Sequence, residues 1–196
     1  GIGQAAKTPH YINVNGLNGL HGRGIPPALG AKIANKDMKV IITSGDGDSY
    51  GEGGNHLIHN IRRNADITHL VHDNQIYGLT KGQGSPTTAK GHQTSMQFEG
   101  VISDAFNPIA FAISLGCSFV ARSFSADQEH LSEMIKKGLN HKGYALIDIL
   151  QPCVTFNKVN TYKWYKDRVY YIEDDYDAYD KVEAFKKSQE WGEKIP

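Results

Sequence analysis

Four short β-branched runs constrain this chain more than any other feature. "KVIIT" (39–43), "DITHLVH" (66–72), "CSFVAR" (117–122) and "YALIDIL" (144–150) each read as a buried strand. Helical patterns separate them. "PPALGAKIAN" precedes the first strand, and "NHLIHNIRRN" puts Leu57, Ile58 and Ile61 on one face. "NPIAFAISLG" opens with an Asn107 cap and Pro108 at its first position, and ends at Gly116. "SADQEHLSEMIKKGL" offers a capping box from Ser125 to Gln128, with Leu131, Met134, Ile135 and Leu139 on one face. Strands of this kind joined through helices predict an α/β fold, a mostly parallel sheet with helices on both faces.

The 196 residues suit one such domain, here 1–156, with a carboxyl-terminal extension at 157–196 that is rich in Tyr and Asp. Lys plus Arg and Asp plus Glu both number 21, so nothing in the charge points to nucleic acid or an anionic membrane. No apolar run approaches the roughly 20 residues of a membrane helix, and two cysteines make no disulfide scaffold; both favour a cytoplasmic protein. One stretch between strands, 77–100, is long, irregular and rich in Gly, Ser, Thr and Lys, which marks a functional loop.

The chemistry starts at "TSGDGDSYGEGGNHL" (43–57), directly after the first strand. Glycine-rich turns after strands often cradle phosphate, yet this one carries Asp46 and Asp48. A dinucleotide fingerprint fails, because its last glycine position holds Tyr50. Ligands of open parallel sheets bind beyond the carboxyl ends of the strands. "HDNQIYG" ends the second strand, so Asp46, on an exposed strand end, and Asn74 can arrive side by side. Two hard oxygen ligands beside a glycine turn describe a Mg²⁺ site, and the cation lets an aspartate face a diphosphate. Gly45 and Gly47 let the backbone approach phosphate closely. A GDG after a strand is also an ordinary tight turn. What favours the metal is its pairing with Asn74, the pattern of thiamine diphosphate enzymes.

With that motif placed, the chain resembles the β subunit of 2-oxoacid:ferredoxin oxidoreductases, of the 2-oxoglutarate or broad 2-oxoacid type. "KTPHYIN", "LHGRGIPPALGAKIAN", "GDGDSYGEGGNHLIHNIRRN", "DNQIYGLTKGQGSPTT", "QPCVTFN" and "EWGEKIP" carry the likeness. It implies a thiamine diphosphate-binding fold with Asp46, the Asn74 side chain and the Ile76 carbonyl on Mg²⁺. It places Gly45, Gly47, Asp48 and the turn Tyr77, Gly78, Leu79 and Thr80 at the diphosphate. His21 and Arg23 would border the cofactor, and Lys7 and Lys81 would face the substrate's distal end. Solvated loop lysines and loop packing are the plain alternatives for these four.

The likeness also implies several partners: an α subunit that holds the pyrimidine-binding half, ferredoxin, coenzyme A and a 2-oxoacid. It implies a dimer of heterodimers as well. The family's [4Fe–4S] cluster uses four cysteines; Cys153 matches one, Gln4 stands where another belongs, and an amino-terminal C-x-x-C is missing. The cluster is therefore incomplete, and both ends look trimmed. No glutamate for the aminopyrimidine can be placed, so the chain is expected to be inactive alone, with the 77–100 loop ordered by a partner. Two rival readings are the diphosphate domain of a non-redox carboligase or decarboxylase and a non-catalytic nucleotide-binding module. His56 and His59 read as surface or packing residues, His92 has no role, Cys117 reads as core, and Trp164 and Trp191 as packing anchors.

Overall fold

The computed structural model describes residues 5–173 and 175–196. Its sheet has four parallel strands: β1 (Ile41–Gly45), β2 (Ile67–Asp73), β3 (Phe119–Phe124) and β4 (Tyr144–Leu150), in the order β1-β2-β4-β3. Each crossover carries a helix: α2 (Gly54–Arg63) between β1 and β2, α3 (Pro108–Ser114) between β2 and β3, and α4 (Gln128–Asn140) between β3 and β4. α1 (Ile25–Ala34) precedes β1, while α5 (Tyr162–Lys166) and α6 (Lys181–Ser188) follow β4.

Side chains alternate across the pleat, so each strand feeds two cores. Ile67, Val71, Tyr144 and Leu146 pack with Ile25, Leu57, Ile61 and Ala112 of α1, α2 and α3. Leu70, Ile147 and Ile149 meet Leu131, Met134 and Ile135 of α4 on the other face. The expected parallel sheet with helices on both faces is what forms. A third cluster joins Phe124 and Leu150 to Tyr165 and Ile195, which seats the carboxyl-terminal segment on the ends of β3 and β4. Trp164 and Trp191 act as anchors there, stacked under Arg168 and Arg122 respectively.

Several boundaries moved, and β1, read at 39–43, forms over Ile41–Gly45. β3 starts two residues later than "CSFVAR", because Cys117 closes the α3 connection through its N–H to Ala112 O. α4 is capped by Asp127, whose carboxylate accepts the His130 N–H, and not by Ser125, whose hydroxyl is buried without a hydrogen-bond partner. Asp127 N–H bonds Phe124 O in a turn, which delays the helix by two residues. The Asn107 cap and Pro108 are as the sequence indicates.

Register fixes the site. Gly45 pairs with His72, and Asp73 with Leu150, so the residues just past β1 and β2 lie together at the carboxyl edge of the sheet.

Candidate functional site

Asp46 opens a wide π-helical turn, Gly47–Glu52, that leads into α2. Such turns cluster at functional sites because they widen the backbone locally. Asp46 is only 2 % exposed, so the expectation of an exposed strand-end carboxylate is wrong. The 77–100 loop, which has no helix or strand of its own, folds back over it. Ser85 and Thr87 donate their hydroxyls to Asp46 Oδ2 at 2.5 and 2.7 Å. The backbone at Gly47 and Asn74 is also close enough to lower the Asp46 carboxyl. Asp46 and Asn74 are thus neighbours.

Asp73 lies just behind them, 2.8 Å from the same Thr87 hydroxyl. Thr88 donates to Gln75 O, and its own Oγ1 accepts the Ser85 N–H. These contacts were invisible in the sequence, where "SPTT" is an unremarkable polar run; the only signal was the long loop. Burial pushes the Asp46 carboxyl above its usual range, against the pull of the Ser85 and Thr87 hydroxyls. Asp73 is pushed up further, first by burial and then by the charges of Asp148 and Asp46. A buried carboxylate with no cation against it is the environment a divalent ion would offset.

Asn74 Oδ1 accepts the Ile76 N–H at 3.0 Å, which turns the chain so that both residues stay at the strand end. An amide oxygen has a second lone pair for a cation. Gln75 between them has φ +57 and is buried, a left-handed residue locked by its neighbours. Asn157 Nδ2 reaches Asn74 O at 3.4 Å, so the segment after β4 braces this corner. Asp46 and Asn74 therefore bring together oxygens of the kind a hard cation takes. Among the described residues no group of three His, Cys, Asp or Glu could hold a metal.

Asp48 bonds the Gly22 N–H with its carboxylate. His21 reaches Glu52 at 2.8 Å, and its other nitrogen is 3.5 Å from Asp48. The loop holding His21 and Arg23 is thereby pinned on the π turn. The Tyr77 ring lies across Gly47, and its hydroxyl is 3.3 Å from both Glu52 oxygens. Burial and Glu52 together push the Tyr77 phenol well above its ordinary range. Gly47 therefore has a packing reason to lack a side chain: a Cβ there would sit 2.2 Å from Tyr77 Cε1. Gly47→Ala is expected to destabilise the fold by about 1–3 kcal/mol, as overpacking does. The Tyr77→Ala background should recover most of that loss in urea unfolding; additivity of the two changes would show that the ring is not the cause.

The turn at 77–83 is closed by Tyr77 N–H to Gln83 O and Gly82 N–H to Tyr77 O. Lys81 sits on it, exposed, with φ +86. Lys7 is exposed on the short 3₁₀ helix Ala5–His10, which packs beside β1 through Thr8 and Thr43. Cys153 lies against this turn, 3.6 Å from where a Gly78 Cβ would be. Cys117 sits far off between Phe119 O and Tyr144 O, its thiol pushed up to about 11 by burial. Gln4 lies outside the described residues. The chain's two thiols do not meet, so its residues do not fit an iron–sulfur cluster. His56 and His59 lie on α2, with His59 against Arg62.

Beneath the turn a fully buried network was missed altogether. His69 Nε2 lies 2.7 and 3.0 Å from the Ser44 and Ser49 hydroxyls, and Nδ1 lies 2.6 Å from Tyr144 Oη. Burial lowers His69 to about 3, so it stays neutral and locks the turn to β2 and β4. A separate groove of about 820 Å³ lies along β3, α4 and the 169–187 segment, and includes no residue of the GDGD turn.

Comparison with known proteins places the chain in a family. The family "Thiamine pyrophosphate enzyme, C-terminal TPP binding domain" matches residues 1–149, and the C-terminal family of the pyruvate ferredoxin oxidoreductase beta subunit matches 153–196. The chain is 49 % identical over its whole length to 2-oxoacid:ferredoxin oxidoreductase 1, subunit beta, of Aeropyrum pernix, covering 65 % of that protein. It is 46 % identical to the subunit beta of a Sulfolobus 2-oxoacid:ferredoxin oxidoreductase, covering 68 %. The chain thus spans about two-thirds of the length of these relatives. A solved 2-oxoglutarate:ferredoxin oxidoreductase from Magnetococcus marinus, with 2-oxoglutarate, coenzyme A and succinyl-CoA bound, superposes with a TM-score of 0.96 at 34 % identity, over all of this chain and 67 % of that one.

The fold and turn define a thiamine diphosphate-binding α/β domain. The chain belongs to the β-subunit family of the 2-oxoacid:ferredoxin oxidoreductases. No helix among the described residues is long and apolar enough to cross a membrane.

Proposed function

We propose that this chain supplies the diphosphate half of a Mg²⁺–thiamine diphosphate site for oxidative decarboxylation of a 2-oxoacid, with the acyl group passing to coenzyme A and electrons to ferredoxin. The observation that carries this reading is the adjacency of Asp46 and Asn74 at the ends of β1 and β2, set by the Gly45–His72 register and close enough for the Asn74 backbone to lower the Asp46 carboxyl. Asp46, the Asn74 amide oxygen and the Ile76 carbonyl would hold the cation. The backbone at Gly45 and Gly47 and the turn from Tyr77 through Gly78 and Leu79 to Thr80 would hold the diphosphate. Asp48 serves through the Gly22 contact by fixing the His21 loop at the rim.

Thiamine diphosphate, when bound, supplies the thiazolium carbon nucleophile and the electron sink for loss of CO₂. This chain's part is to orient that cofactor and to neutralise its diphosphate through the cation. Residues 1–156 form the cofactor-binding domain, and 157–196 brace it at Asn74 and on the ends of β3 and β4. The aminopyrimidine end is completed by an α subunit, in a dimer of heterodimers. Its absence leaves the chain alone without turnover. Any [4Fe–4S] centre of the complex needs ligands beyond Cys153.

Calorimetry tests the cofactor. Thiamine diphosphate with Mg²⁺ should bind, EDTA should abolish binding, and ADP with Mg²⁺ should bind far less well. Equal affinity for ADP would overturn the reading. The substrate side is tested in the assembled enzyme. Lys7→Met and Lys81→Met should each cost 2-oxoglutarate more than pyruvate. The difference expected for one charge-assisted hydrogen bond is roughly 1.5–3 kcal/mol, about ten- to a hundredfold in relative kcat/KM. Equal losses on both substrates would show that the lysines do not read a distal carboxylate.

A further inference from the structure

Asp46 is held from a direction the motif does not reveal. Of its side-chain partners, both come from the 77–100 loop: the Ser85 and Thr87 hydroxyls converge on Oδ2. That oxygen is therefore held by the loop. Thr87 also touches Asp73 Oδ1 on the far side, and a threonine has one proton to share between the two carboxylates. Ser85 is fixed in turn, its N–H donating to Thr88 Oγ1 and Thr88 donating to Gln75 O, beside Asn74. Pro86 between them lies 3.3 Å from where a Gly51 Cβ would be, and its carbonyl accepts the Phe106 N–H. Residues 85–88 are thus seated on both halves of the candidate cation site, while the preceding turn carries Lys81.

We propose that Ser85 and Thr87 are positioning residues that aim the Asp46 carboxylate at the cation, and that through them cation occupancy is coupled to the order of the 77–84 turn. This rests on the cation-site reading above. Ligating carboxylates depend on such outer hydrogen bonds for their direction and basicity. Coupling of this kind is reciprocal: if an ordered turn aids the cation, the cation must order the turn.

The test uses the 196-residue chain with saturating thiamine diphosphate and Mn²⁺ as a paramagnetic substitute for Mg²⁺. Two quantities are measured: Mn²⁺ affinity, and amide exchange of 77–84 with and without the cation. In the unmodified chain the cation should slow exchange across 77–84. Thr87→Val should weaken Mn²⁺ about 10- to 100-fold, the loss expected of an outer hydrogen bond to a ligand, and leave exchange at 77–84 indifferent to the cation. Thr87→Ser, which keeps the hydroxyl, should restore both. Ser85→Ala should shift both in the same direction as Thr87→Val, and serves if the valine variant does not fold. Undiminished Mn²⁺ affinity in Thr87→Val and Ser85→Ala, or equal loss in Thr87→Val and Thr87→Ser, overturns the inference. Asp46→Asn separates the two levels: if it too binds Mn²⁺ normally, the cation site itself is wrong, and if it alone loses binding, only the positioning role falls.

Discussion

Asp46→Asn should abolish cation-dependent binding of thiamine diphosphate while the chain stays folded. The substitution keeps an oxygen for the Ser85 and Thr87 hydroxyls but puts a neutral amide where the carboxylate would meet the cation. Truncating one member of a buried charge pair costs about 2–5 kcal/mol, which is roughly 30- to several-thousandfold in affinity. Asp46→Ala is the poorer variant, because it orphans the buried Ser85 and Thr87 hydroxyls.

The stability effect has the opposite sign. Burial raises the Asp46 carboxyl in the folded chain above its ordinary 3.8. A raised carboxyl binds protons better folded than unfolded, so its contribution is fully present below the unfolded pKa and is lost as pH rises through the folded one. Asp46→Asn removes that loss. Without cation, the variant should equal or exceed the parent in urea midpoint at pH 7, and the difference should fade toward pH 4. Mg²⁺ with thiamine diphosphate should stabilise only the parent. Normal cofactor affinity in Asp46→Asn would remove the main support for the proposed function.

The strands and helices could be read from sequence because each is local: short β-branched runs and helical stripes with caps such as Asn107. The pairing of Asp46 with Asn74 was legible for a different reason. A parallel sheet brings consecutive strand ends together whatever the side chains are, so two motifs one crossover apart could be joined on paper. What surrounds them was not legible. Ser85 and Thr87 lie about forty residues beyond Asp46, in a loop with no periodicity, and only the tertiary fold-back seats them. For that reason Asp46 could be given a ligand role but not a correct burial. Gly47 shows the same limit: its glycine could be assigned to phosphate approach, while the Tyr77 ring thirty residues on also requires it. Ser125 against Asp127 is a local miss, since both offer an oxygen at the head of α4 and the turn at Phe124 decides between them.

Arg122→Met should be the most damaging single change to stability. Arg122 on β3 lies over the Trp191 ring, its side chain 7 % exposed, with Nε 3.4 Å from Asp148 Oδ2. Asp148 on β4 is 0 % exposed and also accepts the Tyr50 hydroxyl at 2.8 Å. Removing the guanidinium leaves that carboxylate buried near Asp73 with the Tyr50 hydroxyl but no positive charge against it, a loss of about 3–5 kcal/mol at neutral pH. Burial already outweighs Arg122, and the folded Asp148 carboxyl is raised. Without the guanidinium it must rise further. The deficit is therefore greatest at high pH and shrinks as pH falls and Asp148 takes up a proton in both proteins. Asp148→Asn in the Arg122→Met background keeps an acceptor for Tyr50 and removes the charge, so most of the lost stability should return. Arg122→Lys keeps a charge but not the flat stack on Trp191, and should fall between. Urea unfolding at pH 7 and pH 4.5 measures all four proteins. A deficit in Arg122→Met that is the same at both pH values, and is not relieved by Asp148→Asn, would place its origin in lost packing against Trp191 and not in the stranded carboxylate.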